Sequence, residues 1–552
     1  MNNIKIKLEN GQNIIVTKGI KLNDIIKEYN LEKDIPVVLG KLNGKIYELS
    51  HTVDEGGKLE IIDISSKIGR KTYIRTLQFI LIKAVNDIFP NSRITIEHSL
   101  GKGLFGEIDK EQPLNEGDIK KIKARMDEII KKDIIIKKIS VTKNKAMEIF
   151  KKYRLEDKLK LFKNINAETL NLYELDGLYD YFYGAMAYST GVIKNYDLVY
   201  HKPGFKLRFP TQYNPYELPP ILEHKKLEKI FYETEQWGKI LNVGDVGSLN
   251  DIVLNGNISE LIRVNEALQE KKIAYISDMI KEKENVKLVL IAGPSSSGKT
   301  TFTKRLGIQL RTNGFIPVQI SLDDYFVDRH HTPKDEFGEY DFESIFALDL
   351  ELFNKNLTSL LNYEETEIPK YDFKTGKRVW TGDKVKLPER GIILIEGIHG
   401  LNEMLTSSIS KENKFKIYIS CLTQLNIDCH NRIPTTDVRI IRRIVRDSLS
   451  RGYGAETTLK MWSSIRRGEE RNIFPFQEEA DVMFNSNLVY EISILKKHAL
   501  RELNKIHEDS PIYYEACRLK NFLYFFKEID ESLVPDNSIL REFIGGSYFY
   551  KY

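Results

Sequence analysis

Residues Lys287 to Thr303 read KLVLIAGPSSSGKTTFT, and this stretch decides the fold of the chain around it. Leu288 to Ala292 are apolar or small, which predicts a fully buried strand of a parallel sheet. Gly293 to Thr300 then fit the pattern G-x-x-x-x-G-K-[ST], and helix-forming sequence follows. The stretch therefore predicts a strand, a glycine-rich loop and a helix N-terminus in that order, which is the context that this phosphate-binding pattern requires.

The residue types in this loop have direct physical explanations. Gly293 and Gly298 allow the backbone to curl so that its N–H groups can point at phosphate oxygens, and the helix starting near Lys299 adds its positive dipole end. Lys299 can reach the β- and γ-phosphates, and the Thr300 hydroxyl can ligate Mg²⁺. We therefore predict that ATP and Mg²⁺ bind here. The predicted nucleotide-binding residues are Gly293, Ser295, Ser296, Ser297, Gly298, Lys299, Thr300 and Thr301.

The bulk composition indicates several globular domains. The chain has 552 residues, of which 41% are hydrophobic and 29% charged, and single cores stop growing well below this length. Its net charge of +4, from 83 basic and 79 acidic residues, neither requires nor excludes a nucleic-acid partner. The 3 cysteines form no C-x-x-C pair, which favours a reducing compartment. No signal peptide and no apolar run of about 18 residues is apparent, so we expect a cytoplasmic protein without membrane contact.

Acidic residues follow two further predicted strands. Phe315 to Ile320 read as a strand, and Asp323 and Asp324 come shortly after it. Gly391 to Ile395 read as another buried strand that runs directly into Glu396. Because ligands bind outside the carboxyl ends of parallel strands, these carboxylates are expected in the ligand crevice. Glu396 is suited to Mg²⁺.

Arginines are concentrated on one predicted helix further along the chain. Arg439, Arg442, Arg443 and Arg446 share a helix face, and Arg451 lies in the turn beyond. An arginine face is ordinarily solvated, but next to a phosphate site it is better explained as a lid that clamps the transferring phosphoryl oxygens.

Ordered motifs over residues 286–500 resemble the uridine kinase and phosphoribulokinase family. They are GPSSSGKTT, SLDDYFVD, YDFESIFALD, PKYDFKTGKR, ILIEG, RRIVRDSLSRG and EEADVMFNS. The resemblance implies a P-loop kinase domain with a parallel sheet, and it implies that Asp323 accepts the proton of a nucleoside 5′-hydroxyl. By the same resemblance Asp341 holds the ribose hydroxyls and Tyr371 forms an aromatic wall for the base, with Tyr325 and Arg443 also on the substrate. The implied catalytic residues are Asp323, Lys299, Arg443, Arg446 and Arg451, and the implied metal ligands are Thr300 and Glu396.

Two departures from that family pattern fall in the expected base pocket. Pyrimidine-specific members place a histidine shortly after the YDF run, where Gly376 stands here. The stretch Phe342 to Ala347 is longer than the usual short turn. The identity of the base therefore stays open. His330 and His331 lie nearby in the sequence, and we expect them to be exposed loop residues.

The first 215 residues carry a second resemblance. Residues 1–64 alternate like short strands, with turn signals at Asn10-Gly11 and Asn43-Gly44, and resemble the β-grasp TGS domain of threonyl-tRNA synthetase. Residues 65–215 resemble the α+β editing-type second domain of threonyl- and alanyl-tRNA synthetases. The candidate helix has no histidine and no cysteine precedes Cys421, so that family's zinc site and editing chemistry do not carry over. The lysine-rich helix at 120–138 is read as a solvated face, with RNA contact through residues 1–215 as the alternative.

These observations give a multidomain α/β protein. The predicted segments are 1–64, 65–215, a helical connector at 216–285, the kinase domain at 286–500 and a helical cap with buried aromatics at 501–552. The predicted function is ATP-dependent phosphorylation of a nucleoside, uridine or cytidine, by a homo-oligomer. The alternatives are a phosphoribulokinase-like kinase of another small hydroxyl substrate and an RNA-binding regulatory protein with a nucleotide-gated kinase fold. A GTPase is disfavoured because the N-K-x-D motif that reads guanine is missing from the sequence.

Overall fold

The computed structural model describes residues 3–423 and 425–550, which divide into two compact units. Unit 1 consists of residues 1–223, 244–251 and 424–433, and unit 2 of residues 224–243, 252–423 and 434–552. Residues 424–433 lie inside the predicted range 286–500 but are grouped with unit 1.

The bounds of the regular elements are as follows. The strands are β1 Asn3–Leu8, β2 Asn13–Thr17, β3 Ile20–Lys21, β4 Val37–Leu42, β5 Lys45–Glu48, β6 Thr52–Val53, β7 Gly57–Asp63, β8 Arg93–Leu100, β9 Gly103–Asp109, β10 Lys137–Thr142, β11 Thr169–Leu175, β12 Leu178–Asp180, β13 Asp197–His201, β14 Gly204–Arg208, β15 Leu288–Ala292, β16 Ile316–Ser321, β17 Thr366–Glu367, β18 Lys370–Asp372, β19 Lys377–Val379, β20 Lys384–Val385, β21 Gly391–Glu396, β22 Lys414–Ser420, β23 Asn426–Asp428, β24 Asn431–Arg432 and β25 Val482–Asn485. The helices are α1 Leu22–Glu28, α2 Lys67–Ile88, α3 Glu116–Lys131, α4 Lys143–Lys152, α5 Glu156–Lys163, α6 Lys225–Leu241, α7 Val246–Leu254, α8 Ile258–Glu282, α9 Lys299–Thr312, α10 Leu350–Leu361, α11 Thr435–Arg446, α12 Ala455–Asn472, α13 Glu491–Leu503, α14 Tyr513–Leu523 and α15 Arg541–Ile544.

Unit 1 begins with a small mixed sheet whose strand order is β2-β1-β7-β4-β5. The hairpin predicted around Asn10-Gly11 is present, because β1 and β2 pair antiparallel with Ile6 opposite Ile14. β1 and β7 pair in parallel. Alternate side chains of these strands point to one face, so Ile6 and Ile14 reach a core that also holds Leu22 and Ile25 of α1.

The rest of unit 1 is α+β. An antiparallel sheet has the order β13-β14-β9-β8, and a second sheet has the order β10-β11-β12. Ser66 caps α2, since its hydroxyl accepts a hydrogen bond from the Gly69 N–H at 3.0 Å. Tyr73 and Phe79 of α2 are buried with Phe205 of β14 in the same core.

Unit 2 is built on a parallel sheet with the order β16-β21-β15-β22-β25. The strands β15 and β21 are almost continuously apolar and buried, as expected of strands covered on both faces. β15 lies between β21 and β22, whereas the strand next in sequence, β16, lies at the edge. The connections therefore leave in opposite directions on the two sides of β15. The carboxyl end of β15 is a topological switch point, where ligands bind in sheets of this kind.

The predicted connector is largely helical, whereas the described part of the predicted cap is helical only in the end of α13, in α14, in a short turn at Glu531–Leu533 and in α15. α6 and α8 belong to unit 2, and residues 244–251 at the start of α7 belong to unit 1. In the predicted cap the rings of Phe522 and Phe526 are buried and meet edge to face with centroids 5.3 Å apart. Among the described residues, none of the helices combines the length and the apolar character needed to cross a membrane.

Candidate active site

The loop that joins β15 to α9 lies at the switch point of the sheet. Gly298 has a φ of +84°, which side-chain-bearing residues rarely adopt. A side chain at Gly293 would overlap the carbonyl oxygen of Ile419 on the neighbouring strand. Glycine is therefore needed at one position for backbone conformation and at the other for close approach of two chain segments.

Polar groups of this loop are available to an anion. The hydroxyls of Ser296 and Ser297 are buried, and among the described residues they have no hydrogen-bond partner. The Lys299 ammonium donates to the loop carbonyls of Gly293 and Pro294, at 2.9 and 3.3 Å. A lysine that folds onto its own loop can turn to a phosphate without breaking an ion pair. Together with the N-terminus of α9, these donors fit a bound phosphate chain.

Three oxygen-bearing side chains meet beside the loop. The hydroxyls of Thr300 and Ser321 donate to Glu396 Oε1 at 3.4 and 3.1 Å. The sheet register explains this, since Ser321 at the end of β16 pairs with Glu396 at the end of β21. Burial, followed by the charge of Asp323, raises the pKa of Glu396 to about 7. A buried carboxyl and two hydroxyls fit a hard divalent cation such as Mg²⁺, which takes oxygen ligands.

Glu343 is a second carboxyl at this centre, and its part in the site was not predicted from the sequence. Its Oε2 atom is buried without a hydrogen-bond partner among the described residues. Burial and the charge of Glu469 raise the pKa of Glu343 to about 8, while the nearby charges of Arg443 and Lys299 oppose this shift. A side chain at Gly468 would overlap Glu343, so that glycine admits the carboxyl between the elements. The only sequence signal was the unusual length of the stretch from Phe342 to Ala347.

Two of the four arginines on α11 hydrogen-bond to the backbone of the loop between β15 and α9. Arg439 is 1% and Arg442 0% exposed, and they form buried ion pairs with Glu469 and Glu491. Arg439 Nε also donates to the Ser295 carbonyl at 3.0 Å, and Arg442 Nη1 donates to the Ser296 carbonyl at 3.4 Å. The expectation of a lid of four arginines is therefore corrected, because these two hold the backbone of the loop and their charges are already paired.

Arg443, Arg446 and Arg451 surround one carboxylate, that of Asp447. Their closest distances to it are 3.1, 2.8 and 3.8 Å. Burial acts to raise the pKa of Asp447, but the three arginines outweigh it, and the pKa lies below its usual value. The charge of Arg446, followed by burial, lowers the pKa of Arg451 to about 10. Three cations on one carboxylate leave an excess of positive charge, which suits a phosphate-binding surface.

A cavity of about 550 Å³ joins these groups to an aromatic surface. Its lining includes Thr300, Arg446 and Arg451 together with Tyr371 and Phe373. The rings of Tyr371 and Phe373 meet edge to face at 5.2 Å, and the Arg451 guanidinium lies 5.1 Å from the centre of the Phe373 ring. The cavity thus brings together predicted loop, lid and base-wall residues, and it also includes Glu542 and Tyr550 from the C-terminal segment, which were not predicted.

Two predicted substrate residues lie elsewhere in unit 2. Tyr325 is 1% exposed, packs edge to face on Phe353 at 5.1 Å and accepts a hydrogen bond from Asn356 Nδ2 at 3.2 Å. Its prediction as a substrate ligand is corrected, because it belongs to the core beneath the site. Asp341 is half-buried, does not line the cavity, and accepts a hydrogen bond from the Glu343 N–H at 3.1 Å.

The departures from the family pattern in the predicted base pocket have a structural setting. Gly376 has a φ of +69°, and a side chain there would begin 2.8 Å from Arg329 Nε. A histidine at this position would therefore be strained as well as crowded. His330 and His331 are exposed, as expected, with ring centres 3.9 Å apart.

Comparison with known proteins gives one family match and one set of relatives. Residues 288–493 match the model described as Phosphoribulokinase / Uridine kinase family. The N-terminal region is similar to threonine--tRNA ligases, with 30% identity over 190 residues to that of Caldanaerobacter subterraneus subsp. tengcongensis. Identity is 27% over 197 residues to that of Desulforamulus reducens. The two matches cover 34% and 36% of this chain, and only 30% and 31% of the ligases.

Two solved structures with local similarity are described as kinases. A possible uridine kinase from Bacillus stearothermophilus shares 22% identity over 39% of this chain and 98% of its own, with a TM-score of 0.27. A kinase described as belonging to a fructose transport system, from Silicibacter sp. TM1040, shares 17% identity over 38% of this chain and 98% of its own, with a TM-score of 0.28.

Proposed function

Because residues 288–493 match the model of the Phosphoribulokinase / Uridine kinase family, we propose that this chain transfers the γ-phosphoryl group of ATP to the 5′-hydroxyl of a nucleoside. The family match supports a P-loop kinase of a small hydroxyl substrate. The nucleoside, and uridine or cytidine in particular, is the finer part of the proposal.

One observation carries the proposal. The phosphate loop, the Thr300–Glu396 pair and the arginines around Asp447 all belong to unit 2, and Thr300, Arg446 and Arg451 line the same cavity as Tyr371 and Phe373. A cavity lined by both arginine guanidinium groups and aromatic rings fits a molecule that carries both a phosphate acceptor and a flat base.

The residues of the chain have separable roles in the proposed reaction. Thr300, Ser321 and Glu396 would hold Mg²⁺, which when bound neutralises charge on the phosphates of ATP. Lys299 exchanges its two loop carbonyls for phosphate oxygens. Asp323 accepts a hydrogen bond from the acceptor hydroxyl, orients it, and takes its proton as the new bond forms. Arg446 and Arg451 stabilise the charge that develops on the transferred group.

The substrate end of the cavity is assigned by shape and charge. Tyr371 and Phe373 offer ring faces and edges on which a base can pack, and Arg451 lies against Phe373. Asp341 does not line this cavity, so its role as partner of the ribose hydroxyls rests on the family resemblance of the YDFESIFALD motif alone. A sugar-phosphate acceptor, as in the phosphoribulokinase alternative, would use the arginines and leave the aromatic rings without a role.

A substrate screen tests the proposal. Purified full-length protein with MgATP is incubated with each common nucleoside and with a panel of sugar phosphates, and ADP release and phosphorylated product are measured. We expect 5′-phosphorylation of a pyrimidine nucleoside, and loss of it in Lys299→Ala. Phosphorylation of sugar phosphates alone would replace the nucleoside assignment, and no ADP release with any acceptor would contradict kinase activity.

The N-terminal region motivates a second proposal, which concerns RNA. Its similarity to threonine--tRNA ligases covers less than a third of their length, so their activity does not transfer with it. We propose that residues 1–215 contact tRNA in the full-length protein, and that the protein is a homo-oligomer. Titration of labelled tRNA at several salt concentrations tests the first point, since phosphate contacts make affinity fall steeply with salt. Light scattering coupled to size-exclusion chromatography tests the second.

A further inference from the structure

The C-terminal segment 538–550, called the latch below, lies directly on the first turn of α9. Glu542 Oε2 accepts hydrogen bonds from the Thr301 N–H at 3.3 Å and from the Thr301 hydroxyl at 2.9 Å. The hydroxyl of Tyr550 lies 3.3 Å from the same Thr301 oxygen. The N–H and the hydroxyl of Thr301 are thus within hydrogen-bond distance of residues almost 250 positions away in the sequence.

The chemistry of Thr301 gives this contact its significance. Thr301 directly follows the Gly-x-x-x-x-Gly-Lys-Thr pattern and is the third residue of α9. The first N–H groups of a helix have no partner inside it, and in phosphate loops they bind the phosphates of a nucleotide. The Glu542 carboxylate is therefore bound as an anion by a donor that a nucleotide phosphate would use.

The latch is positioned by packing on both sides of Glu542. Ile539 and Phe543 are 0% exposed, and a side chain at Gly298 would begin 2.6 Å from Ile539. The buried guanidinium of Arg442 lies 5.0 Å from the centre of the Phe543 ring. These contacts fix the backbone of α15 against the loop, so that only the Glu542 side chain needs to turn to free Thr301.

The end of the latch is held less firmly. Gly545 and Gly546 have φ values of +85° and +67° and separate α15 from the tail that carries Tyr550. Tyr548 in this tail is 74% exposed, and Tyr550 is half-buried. Two consecutive glycines of this kind permit the tail to swing at low cost, because glycine accepts many backbone conformations.

We propose that the latch is autoinhibitory: Glu542 and Tyr550 occupy Thr301 in the resting enzyme and are displaced when a nucleotide phosphate binds there. This inference rests on the proposed function, because it concerns the same nucleotide site. It predicts that the apparent affinity for nucleotide is reduced by the fraction of molecules in which the latch is open.

Calorimetric titration of the full-length protein with MgATP tests the latch. Glu542→Gln keeps the size of the side chain and removes the charge that competes with phosphate. We expect this variant to bind MgATP about 10-fold or more tightly than the wild type, because hydrogen bonds to charged groups are the strong ones. Glu528→Gln is the matched control, since it removes an equal charge from an exposed position of the same terminal region. It is expected to leave the affinity unchanged.

Hydrogen exchange gives a readout that does not need nucleotide. In Glu542→Gln the Thr301 amide should exchange faster in the apo protein, and in the wild type MgATP should speed exchange in residues 547–550. Weaker MgATP binding by Glu542→Gln, or protection of 547–550 by MgATP, would make the latch a part of the nucleotide site and overturn autoinhibition. Equal MgATP affinity with normal kinase activity would overturn the latch alone. An absence of MgATP binding by either protein would overturn the proposed function and the latch with it.

Discussion

Three carboxyl groups, those of Asp323, Glu343 and Glu396, lie near one another in unit 2, and their surroundings suit them to different roles. Glu396 accepts hydrogen bonds from two hydroxyls and is suited to a metal, whereas the Oε2 atom of Glu343 is buried without a hydrogen-bond partner among the described residues. The charge of Asp323 acts on both of them, so it lies close to each. Its place in the SLDDYFVD motif is what assigns Asp323 to the acceptor hydroxyl.

Asp323→Asn should separate binding from chemistry. The amide can still accept a hydrogen bond from the acceptor hydroxyl but cannot take its proton. We expect kcat to fall by about 10²–10⁴, the usual contribution of a general base, while calorimetry shows an unchanged affinity for MgATP. Asp328→Asn serves as the control, because Asp328 Oδ1 accepts from the Arg378 N–H at 3.1 Å and an asparagine retains that acceptor. Full turnover in Asp323→Asn would remove it from the role of base.

His98 of unit 1 gives the protein a pH-dependent stability. Burial, followed by the charges of Arg432 and His201, lowers the pKa of His98 to about 3. Its unfolded value is about 6.5, so between these values the unfolded state binds the additional proton. The contribution is fully present above pH about 6.5 and is lost progressively as the pH falls towards 3.

His98→Gln should flatten this dependence. From pH 7 to pH 5 the wild type is expected to lose about 2 kcal/mol of unfolding free energy through His98. Scanning calorimetry of both proteins at a series of pH values measures it, with His331→Gln as an exposed control. Parallel pH profiles for wild type and His98→Gln would contradict the assignment.

Sequence patterns predict only some of the residues that make up the candidate site. Gly293, Lys299 and Thr300 follow from a local pattern, because a phosphate loop is built from consecutive residues. Glu343 lies in a stretch whose only unusual feature is its length. Glu542 accepts a hydrogen bond from Thr301, which is 241 positions away in the sequence, and no motif marks Glu542. Tyr325 was misplaced because an aromatic residue inside a catalytic motif can equally well support the motif from the core.

At the scale of elements, the phosphate loop depends on α11, α12 and α13. Arg439 joins the loop to Glu469 of α12, and Arg442 joins it to Glu491 of α13. Helical spacing predicted that the arginines of α11 share a face. It could not reveal which of them are neutralised, because the partner carboxylates lie 30 and 49 residues further on. Helical spacing determines which arginines lie on one face of α11. The tertiary fold determines which of these arginines form ion pairs.

Glu469→Gln should loosen the loop and destabilise unit 2. It leaves the buried Arg439 without a counter-charge, and breaking a buried ion pair costs about 3–5 kcal/mol. We expect a lower denaturation midpoint for unit 2 together with weaker MgATP binding. Glu470→Gln removes the neighbouring carboxylate, whose exposed pair with Arg466 spans 3.3 Å, and should cost about 0–1 kcal/mol. Equal effects of the two substitutions would show that Glu469 does not support the loop.

In the molecule as a whole, the five predicted segments stay a prediction, and one short stretch of the predicted kinase segment is grouped with unit 1. The parallel sheet of unit 2 and the first hairpin of unit 1 follow from hydrophobic patterns, which report burial of local stretches. Residues 424–433 lie within the predicted kinase segment of the sequence, but in the structure they belong to unit 1. Their sequence, QLNIDCHNRI, has no feature that distinguishes it from a loop of the kinase domain, because its partners are supplied by residues 157–183.

A buried ion cluster holds this segment within unit 1. Lys158 Nζ lies 2.6 Å from Asp428 Oδ1 and 3.2 Å from Asp180 Oδ1, and His430 Nδ1 lies 2.6 Å from Asp180 Oδ2. Burial acts to lower the pKa of Lys158, but the two carboxylates outweigh it, and the pKa lies above its usual value. Ligand atoms of Asp157, Asp428 and Cys429 lie within 4.8 Å of one another. Lys158 supplies a buried cation in contact with two carboxylates of this cluster, those of Asp180 and Asp428.

Lys158→Met tests whether this cluster holds unit 1 together. Methionine has a similar length but leaves Asp180 and Asp428 buried without their cation, and that loss should cost about 3–5 kcal/mol. Calorimetry should show the loss in the same transition that His98→Gln changes, because both residues belong to unit 1. Lys160→Met alters an exposed lysine of the same helix and is expected to stay within about 0.5 kcal/mol of wild type. Lys158→Met could instead lower only the midpoint of the transition that Glu469→Gln affects. Asp428 would then stabilise the kinase unit, and the assignment of residues 424–433 to unit 1 would fail.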